Sequence, residues 1–352
     1  MQSPFINYIL ENYFHNRAQD DIWSKFAYIS NDIDENVQLP SKYLCYTLLP
    51  NTRINKKLSY WLHFRETKHI NETPNQAFSK QTNSFKTLVD AIYINQSYIK
   101  NINPKNVFNY IGCIKSDGFL FIEASKEIEK LLNIDQFNKM LQVKEVTPNG
   151  TVFQKNKVFL ASSPSHRIYK SSATYIKKQI QTYRQLAKFN EVCLRLGMKY
   201  SAIGGSALGL VRHGGMVAWD DDIDVTLDGH SWNLLKRHRA MFGREGIWPN
   251  LHNSERAHCK KIDLFRLKKP KFSIYHGPRR LKVLFTEYDW NYNLRKQIFG
   301  SSYIYAPIDA TNFLTHRYGE NFFDVANGSD CFHGRKKFQN FRLNYSDRTH
   351  RS

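Results

Sequence analysis

Length, composition and charge set broad limits on this chain. It has 352 residues, 41% hydrophobic and 14% aromatic, which is enough for two folded domains and argues against a disordered protein. The formal net charge of +20 indicates an anionic partner class, whether nucleic acid, an acidic membrane surface or phosphorylated glycans. No apolar run reaches the length of a transmembrane helix, no N-terminal signal peptide is evident, and the five cysteines contain no C-x-x-C pair of a zinc knuckle.

Residues 1–165 are predicted to form an N-terminal α/β domain of undefined role. Strands are expected at Val107–Cys113 and Phe119–Glu123, joined by a hairpin turn at Ser116–Gly118. A helix over Lys126–Leu132 follows these strands. No segment of this part carries a motif that predicts chemistry.

A link at residues 162–165, Ser-Ser-Pro-Ser, is predicted after a strand at Lys157–Ala161. The catalytic domain is expected to extend over residues 166–332, followed by a basic, flexible tail at residues 333–352. It is predicted to begin with a long helix that ends at Gly197. The apolar face of this helix is predicted to consist of Ile176, Ile180, Tyr183, Ala187 and Leu194.

The most informative segment is Gly204–Leu227, GGSALGLVRHGGMVAWDDDIDVTL. A strand is predicted at Lys199–Ile203, and a short helix starts at Ala207–Val211. The glycine pair between them would let the backbone approach a ligand closely and direct helix N-terminal amides at an anion. The candidate phosphate-binding residues of this turn are Gly204, Gly205 and Ser206.

Four aspartates follow within five residues, at positions 220, 221, 222 and 224. Such a cluster repels itself unless a cation lies within it, so we predict a bound divalent metal. The alternation from Asp222 to Leu227 predicts a strand in which Asp222 and Asp224 share one face. Acidic runs are more often solvated loops, but Trp219 before the run and the β-branched strand after it favour a metal and phosphate site.

This arrangement resembles the nucleotidyltransferase superfamily and, more narrowly, the LicD, fukutin and fukutin-related protein family. The long motif of that family is a Gly-Gly turn, R-H-G-G, a tryptophan and a D-D-D-I-D block. Ala218 stands where many members have proline, and Ser206 where many have threonine. The matching residues are Gly204, Gly205, Ser206, Leu208, Gly209, Arg212, His213, Gly214, Gly215, Trp219, Asp220, Asp221, Asp222, Ile223 and Asp224.

Two later segments extend the resemblance to about residues 170–325. Lys261–Phe265, KIDLF, is similar to the family's third acidic strand, with Asp263 as its carboxylate and Arg266 where proline often stands. Tyr305–Ile308 resembles the end of these domains, where a strand and a proline lead into a helix that closes with Tyr-Gly.

The resemblance implies a nucleotidyltransferase-like mixed sheet flanked by helices, within the α/β (α+β) class. It implies that Asp222, Asp224 and Asp263 are catalytic and that, together with Asp220, they bind Mg²⁺ or Mn²⁺. A D-x-D pair and a third carboxylate suit phosphoryl transfer because metal ions neutralise the transferred group. Asp263 could complete a second metal site or accept a proton from the acceptor hydroxyl.

Two further residues of the motif are candidates for donor binding. Arg212 is a plausible phosphate contact, because guanidinium groups match phosphate oxygens, although a surface arginine is an equal alternative. His213 could bind phosphate or orient Asp220, and a structural histidine is the stronger alternative.

The resemblance also implies transfer of a phospho-alcohol, of the phosphocholine or ribitol phosphate type, from a CDP-activated donor to a glycan or glycoprotein hydroxyl, releasing CMP. Two alternatives stay open: a nucleotidyltransferase acting on RNA or another nucleotide acceptor, and a non-catalytic fukutin-like module. Eukaryotic relatives are Golgi-lumenal and bacterial relatives cytoplasmic, so the resemblance leaves the compartment open. Glycosylation sequons, which only slightly favour a secretory compartment, occur at Asn71, Asn95, Asn149, Asn327 and Asn344.

Overall fold

The chain divides into two compact units, Met1–Ala161 with Asn344–Thr349, and Ser162–Leu343 with His350–Ser352. Both combine helices with strands, so the protein is of the α/β class predicted from its sequence. In the part of the chain that is described, no helix is both long and apolar enough to cross a membrane. The computed structural model describes residues 4–29, 43–48, 58–62, 66–70, 88–99, 104–156, 173–217, 220–268, 273–276, 279–282, 286–308, 310–326 and 341–342.

The first unit alternates short helices with strands. Its helices are α1 (Pro4–Ile9), a π-helical turn (Leu10–Phe14), α2 (His15–Gln19), α3 (Gln96–Ile99), α4 (Pro104–Cys113), α5 (Glu127–Leu132) and α6 (Asp135–Met140). Its strands are β1 (Ser24–Ile29), β2 (Tyr43–Leu48), β3 (Leu58–Leu62), β4 (Glu66–Ile70), β5 (Val89–Ile94), β6 (Ile114–Glu123), β7 (Leu141–Thr147) and β8 (Gly150–Lys155).

A six-stranded sheet, in the order β2-β1-β5-β6-β8-β7, organises this unit. The first four strands of that order are parallel, whereas β8 is antiparallel to both β6 and β7. Apolar residues at alternate strand positions share one face, and the N-terminal helical segment packs against them. The buried members of this cluster are Phe5, Ile6, Ile9, Phe14, Phe26, Tyr28, Ala91, Tyr93, Phe121 and Val152.

Two predictions for this unit were wrong. The predicted strand Val107–Cys113 belongs to helix α4, because its buried residues Val107, Tyr110 and Ile111 recur at helical spacing after Pro104, which suits a helix N-terminus. The predicted hairpin turn lies inside the single strand β6, where Asp117 takes a positive φ of 61°. The helix predicted at Lys126–Leu132 is confirmed as α5, whereas residues 157–165 lie outside the described residues.

A buried ion-pair network lies at the start of β5. Asp90 is only 3% exposed, and its Oδ1 accepts hydrogen bonds from Lys115 Nζ at 3.2 Å and Arg17 Nη1 at 3.4 Å. Its Oδ2 accepts the backbone N–H of Lys25 at 2.7 Å. Burial opposes ionisation, but these cations and this N–H together hold the pKa of Asp90 below its usual value. The network therefore fixes the ends of β1, β5 and β6 electrostatically.

The second unit contains the long helix and the acidic motif. Its helices are α7 (Ala173–Arg195), α8 (Gly204–His213), α9 (Gly229–Arg237), α10 (Arg239–Arg244), a π-helical turn (Asp289–Asn293) and α11 (Thr311–Tyr318). Its strands are β9 (Tyr200–Ala202), β10 (Ile223–Leu227), β11 (Pro249–Leu251), β12 (Arg256–Cys259), β13 (Ile262–Arg266), β14 (Ser273–His276), β15 (Arg279–Lys282), β16 (Leu294–Phe299), β17 (Ser302–Pro307), β18 (Val325–Ala326) and β19 (Phe341–Arg342).

A five-stranded mixed sheet, in the order β11-β12-β13-β10-β9, forms the centre of this unit. Strands β10 and β13 are parallel, and the other neighbouring pairs are antiparallel. Tyr200 of β9 donates its hydroxyl to Asn190 Oδ1 at 2.5 Å, and the Asn190 amide donates to the Tyr303 carbonyl at 2.8 Å. These bonds join α7, the sheet and the β16–β17 hairpin into one core.

The long helix confirms its prediction in extent and only partly in its buried face. Helix α7 ends at Arg195, and Gly197 follows with a positive φ of 61°. Of the predicted apolar face, Tyr183 is buried, Ile180 and Ala187 are half-buried, and Leu194 is 73% exposed. The buried face of the helix includes Gln179, Thr182, Tyr183, Leu186, Phe189, Asn190, Val192 and Cys193.

The end of the unit follows the predicted order of strand, proline and helix. Strand β17 ends at Pro307, helix α11 ends at Tyr318, and Gly319 follows at a φ of 90°. Of the predicted basic tail, the structure describes Phe341–Arg342, which pairs with Val325–Ala326 as a short antiparallel ladder.

Candidate active site

Two adjacent strands bring the central carboxylates together. Asp224 on β10 is the direct register partner of Asp263 on β13, in the parallel pair of the five-stranded sheet. Register partners on neighbouring strands project from the same face and lie about 4.8 Å apart along the hydrogen-bonding direction. Both residues are half-buried, whereas Val225 and Leu264 beside them are fully buried. The sheet thus presents two carboxylates side by side although 39 positions separate them in the chain (263 − 224).

The acidic segment before β10 adds further carboxylates. One oxygen each from Asp220, Asp221 and Asp222 can be chosen so that all three lie within 4.8 Å of one another, a spacing suited to a shared metal ion. The predicted strand starting at Asp222 begins one residue later, at Ile223, so Asp222 lies at the end of the loop. Asp221, which was not among the predicted ligands, forms an ion pair with Lys261 at 2.8 Å.

The Gly-Gly turn packs directly against these carboxylates. Gly204 has a φ of +52°, and a Cβ atom built on it would lie 2.8 Å from Oδ2 of Asp224. A Cβ on Gly205 would overlap Oδ2 of Asp220. The backbone N–H of Gly205 also donates a hydrogen bond to the Asp224 carboxylate. Both glycines are therefore required by close contact with acidic side chains at the N-terminus of helix α8, where amide dipoles favour negative charge.

Ser206 has a structural contact in this turn. Its hydroxyl oxygen accepts the backbone N–H of Asp224 at 2.8 Å, and the N–H of Ile203 donates to the Asp224 carbonyl at 3.1 Å. These bonds fix the first turn of α8 to strand β10. The strand–turn–helix–strand unit predicted from Lys199 to Leu227 is observed as β9, α8 and β10.

The electrostatics of the cluster favour binding a cation. Burial, followed by the charges of Asp222 and Asp263, raises the pKa of Asp224 to about 8. Burial, followed by the charges of Asp222 and Asp224, raises the pKa of Asp220 well above its usual value. A carboxylate whose ionisation is opposed by neighbouring carboxylates is stabilised in its charged form by a metal ion. The oxygen-only donor set fits Mg²⁺ or Mn²⁺.

One cationic side chain near the carboxylates was not identified from the sequence. Arg256 on β12 donates from Nη2 to Oδ2 of Asp263 at 2.7 Å, and its guanidinium carbon lies 5.4 Å from the centre of the Phe265 ring. Its position depends on the register of β12 against β13, which pairs Arg256 with Phe265. No local motif marks it.

Arg212 and His213 lie in a different environment from that predicted for donor binding. Both are 0% exposed, at the C-terminal end of α8. Arg212 Nη1 donates to the carbonyl of Phe322 at 3.0 Å and contacts that of Val325 at 3.4 Å. A fully buried guanidinium bound to backbone carbonyls supports the segment after α11, so we assign Arg212 to the packing of this unit. Trp219 lies outside the described residues.

Comparison with known proteins places this site in a family. Residues 197–317 match the family model described as LicD/FKTN/FKRP, nucleotidyltransferase domain. An uncharacterized protein of Rickettsia prowazekii is 30% identical over 152 residues, covering 41% of this chain and 56% of that protein. The lipopolysaccharide cholinephosphotransferase LicD of Haemophilus influenzae is 40% identical over 52 residues, covering 15% of this chain and 20% of that protein. The chain spans about half the length of the two rickettsial relatives it matches, at 56% and 47%.

Solved structures add less. The MycE methyltransferase of the mycinamycin biosynthetic pathway matches with a TM-score of 0.28 and 15% identity, over 44% of this chain and 49% of that chain. The N-methyltransferase NodS of Bradyrhizobium japonicum matches with the same TM-score and 9% identity, over 44% of this chain and 98% of that chain. A TM-score this low does not define the fold of either unit. The family assignment therefore depends on the motif and on residues 197–317, the part of the chain that matches the LicD/FKTN/FKRP nucleotidyltransferase domain.

Proposed function

We propose that the second unit, with a nucleotidyltransferase-like arrangement, transfers a phospho-alcohol from a CDP-activated donor to a glycan hydroxyl and releases CMP. The observation that carries this proposal is the convergence of Asp220, Asp222, Asp224 and Asp263, close enough to raise the pKa of Asp220 and Asp224, beside the Gly204–Gly205 turn. The Haemophilus relative is a lipopolysaccharide cholinephosphotransferase, which supports transfer of a phosphorus-containing group to a glycan. Phosphocholine and ribitol phosphate are the two transferred groups we put forward.

The four carboxylates would hold Mg²⁺ or Mn²⁺ in this proposal. The fit is indicated by their all-oxygen donor set and by the raised pKa values of Asp220 and Asp224. When bound, such an ion neutralises donor phosphate oxygens and the charge that develops on the leaving CMP.

The chain's own residues then have separable tasks. The N-terminus of α8 presents backbone amides toward the donor phosphates, since Gly204 and Gly205 permit close approach there. In the transfer, a bond forms from the acceptor oxygen to the donor phosphorus, and the bond from that phosphorus to the CMP oxygen breaks. The acceptor proton passes to a carboxylate, for which Asp263 is our candidate because it lies at the edge of the cluster farther from α8.

A thermal-shift screen tests the donor class. The full chain is heated with Mg²⁺ and CDP-choline, CDP-ribitol, CDP-glycerol, UDP-sugars or each NTP. We expect stabilisation by one CDP-alcohol, lost in Asp222→Ala and retained in Glu191→Gln, an exposed residue on α7. We also expect Asp224→Ala to abolish transfer while the unit stays folded.

The same screen decides between the alternatives. Stabilisation by NTPs alone would support nucleotidyl transfer to RNA or another nucleotide acceptor, a class that the net charge of +20 also suits. Failure of every nucleotide to stabilise the protein, with Mg²⁺ binding absent as well, would indicate a non-catalytic fukutin-like module.

A further inference from the structure

A row of polar side chains crosses the five-stranded sheet from the candidate metal site to the sheet edge. Asp224 is in register with Asp263, Asp263 with His258, and His258 with Asn250, on strands β10, β13, β12 and β11. Residues in register share a face, so the four side chains lie in line on the face that bears the carboxylates. Three strand spacings make the row about 14 Å long.

The two ends of the row differ in what surrounds them. On the β9 side of Asp224 lies the N-terminus of α8, whose amides suit the phosphates of a donor. The row extends in the opposite direction, over β12 and β11, where His258 is half-buried and Asn250 exposed. A molecule lying along it would place a hydroxyl beside Asp263 without occupying the amides of α8.

Arg256 supplies a positive charge on this side. It stands two residues before His258 on β12, so both project from the same face. Its side chain is 35% exposed and pairs with Asp263 through Nη2. A guanidinium has five N–H donors, so the exposed part of a group that gives one of them to Asp263 is suited to bind an added anionic group.

His252, His258 and Asn250 form a connected set of donors and acceptors. His258 Nδ1 lies 2.6 Å from His252 Nε2, and Asn250 Nδ2 lies 3.1 Å from His258 Nε2. The two imidazole rings pack with their centres 4.7 Å apart. Both ring nitrogens of His258 are engaged in this set, so the groups turned to an added sugar are the Asn250 amide oxygen and the second ring nitrogen of His252, on two exposed side chains.

From this arrangement we infer that Asn250, His252, Arg256 and His258 form the acceptor subsite, and that it takes an anionic saccharide. Asn250 and His252 bind sugar hydroxyls, His258 holds both side chains in place, and Arg256 binds a phosphate or carboxylate substituent. The inference rests on the proposed function, because it assigns the acceptor side of the same carboxylate cluster.

Imidazole NMR of the full chain, with ¹³C-labelled histidine, gives a local readout. Glucose 6-phosphate, glucose and inorganic phosphate are titrated separately in the presence of Mg²⁺ and CMP, with His252 and His258 assigned by substitution. We expect glucose 6-phosphate to shift both resonances at concentrations where glucose and phosphate do not. In His258→Phe and Asn250→Leu, the affinity for the sugar phosphate should fall about tenfold, as expected for lost hydrogen bonds to a charged ligand.

Matched controls separate a local effect from a failure to fold. Leu251→Ala changes the same edge strand, and its side chain projects from the opposite face to Asn250, so it should bind glucose 6-phosphate like the unchanged protein. All three variants should keep the donor-dependent thermal shift. If His258→Phe loses stability, Asn250→Leu still tests the subsite through the remaining His258 resonance.

Several results would overturn the inference. Equal shifts with inorganic phosphate would mean that the surface binds an anion without a sugar, and no shift of His252 or His258 would mean that the acceptor binds elsewhere. An unchanged affinity for glucose 6-phosphate in both His258→Phe and Asn250→Leu would also mean that the acceptor binds elsewhere. If no CDP-alcohol stabilises the unchanged protein, the proposed function fails, whereas the NMR titration still reports on the saccharide subsite by itself.

Discussion

Replacing Asp224 by asparagine should stabilise the metal-free protein at neutral pH, although Asp224 is a candidate catalytic residue. Its pKa is about 8 in the folded protein, against an ordinary value of 3.8. This difference corresponds to about 5–6 kcal/mol that favours the protonated carboxyl in the fold. Between about pH 4 and pH 8 the folded state therefore holds a proton that the unfolded state releases.

The direction of the pH dependence follows from that proton. Because the folded state binds more protons, the free energy of unfolding falls as pH rises through this range, by about 1.4 kcal/mol per pH unit at most. At pH 7 the accumulated loss is about 4 kcal/mol, and it is absent in Asp224→Asn. Asparagine keeps an oxygen that can accept the N–H of Gly205.

The assay measures the free energy of unfolding of the second unit by chemical denaturation in the presence of EDTA, at pH 5 and at pH 8. We expect Asp224→Asn to exceed the unchanged protein in stability by a margin that grows from pH 5 to pH 8. Saturating Mg²⁺ should remove that advantage, since the ion stabilises the charged carboxylate. Glu191→Gln is the control, because it removes an exposed carboxylate of α7 that lies outside the acidic cluster. A variant less stable than the unchanged protein at both pH values would refute the reasoning.

Three further predictions concern other contacts. Gly205→Ala should weaken Mn²⁺ binding, measured by electron paramagnetic resonance, because the added methyl group would displace Asp220. In the control Gly229→Ala, the added Cβ makes only an ordinary van der Waals contact, so this variant should bind Mn²⁺ like the unchanged protein. Arg212→Met should lower the free energy of unfolding by about 2–3 kcal/mol, because backbone carbonyls lose their hydrogen-bond donor. A variant of unchanged stability that binds the CDP-activated donor more weakly would contradict the assignment of Arg212 to packing. Asp90→Asn should destabilise the first unit by about 3–5 kcal/mol, since it leaves a buried lysine unpaired. The stability that Asp90 contributes is present above its ordinary pKa of 3.8 and is lost as pH falls through its lowered pKa, so circular dichroism of the two proteins should converge in strong acid.

The acidic motif could be located from the sequence because its elements are local. A glycine pair, a short helix and an alternating strand lie within 24 residues, from Gly204 to Leu227, and each has its own residue signature. Asp263 could be assigned only through the family resemblance, because its proximity to Asp224 arises from the pairing of β10 with β13. Strand pairing across such a distance has no local signal.

Other features were not predictable for the same reason. The burial of Arg212 depends on the carbonyls of Phe322 and Val325, more than 100 positions further along the chain. Arg256 reaches Asp263 through a hairpin register that hydrophobic patterning does not fix. The helix over Val107–Cys113 shows the opposite case, in which helical spacing of apolar residues is present in the sequence but the turn signal at Ser116–Gly118 favours a strand before it.

The turn between β12 and β13 consists of Lys260 and Lys261, with Lys260 at a positive φ of 59°. This two-residue connection holds Asp263 on one strand and His258 on the other in a fixed mutual register. One inserted residue would break it, because a shift by one position sends every side chain of a strand to the opposite face. The face that bears Asp263 and His258 can therefore vary by exchange of side chains on β11 and β12, whereas a change in the length of this turn would separate those two residues.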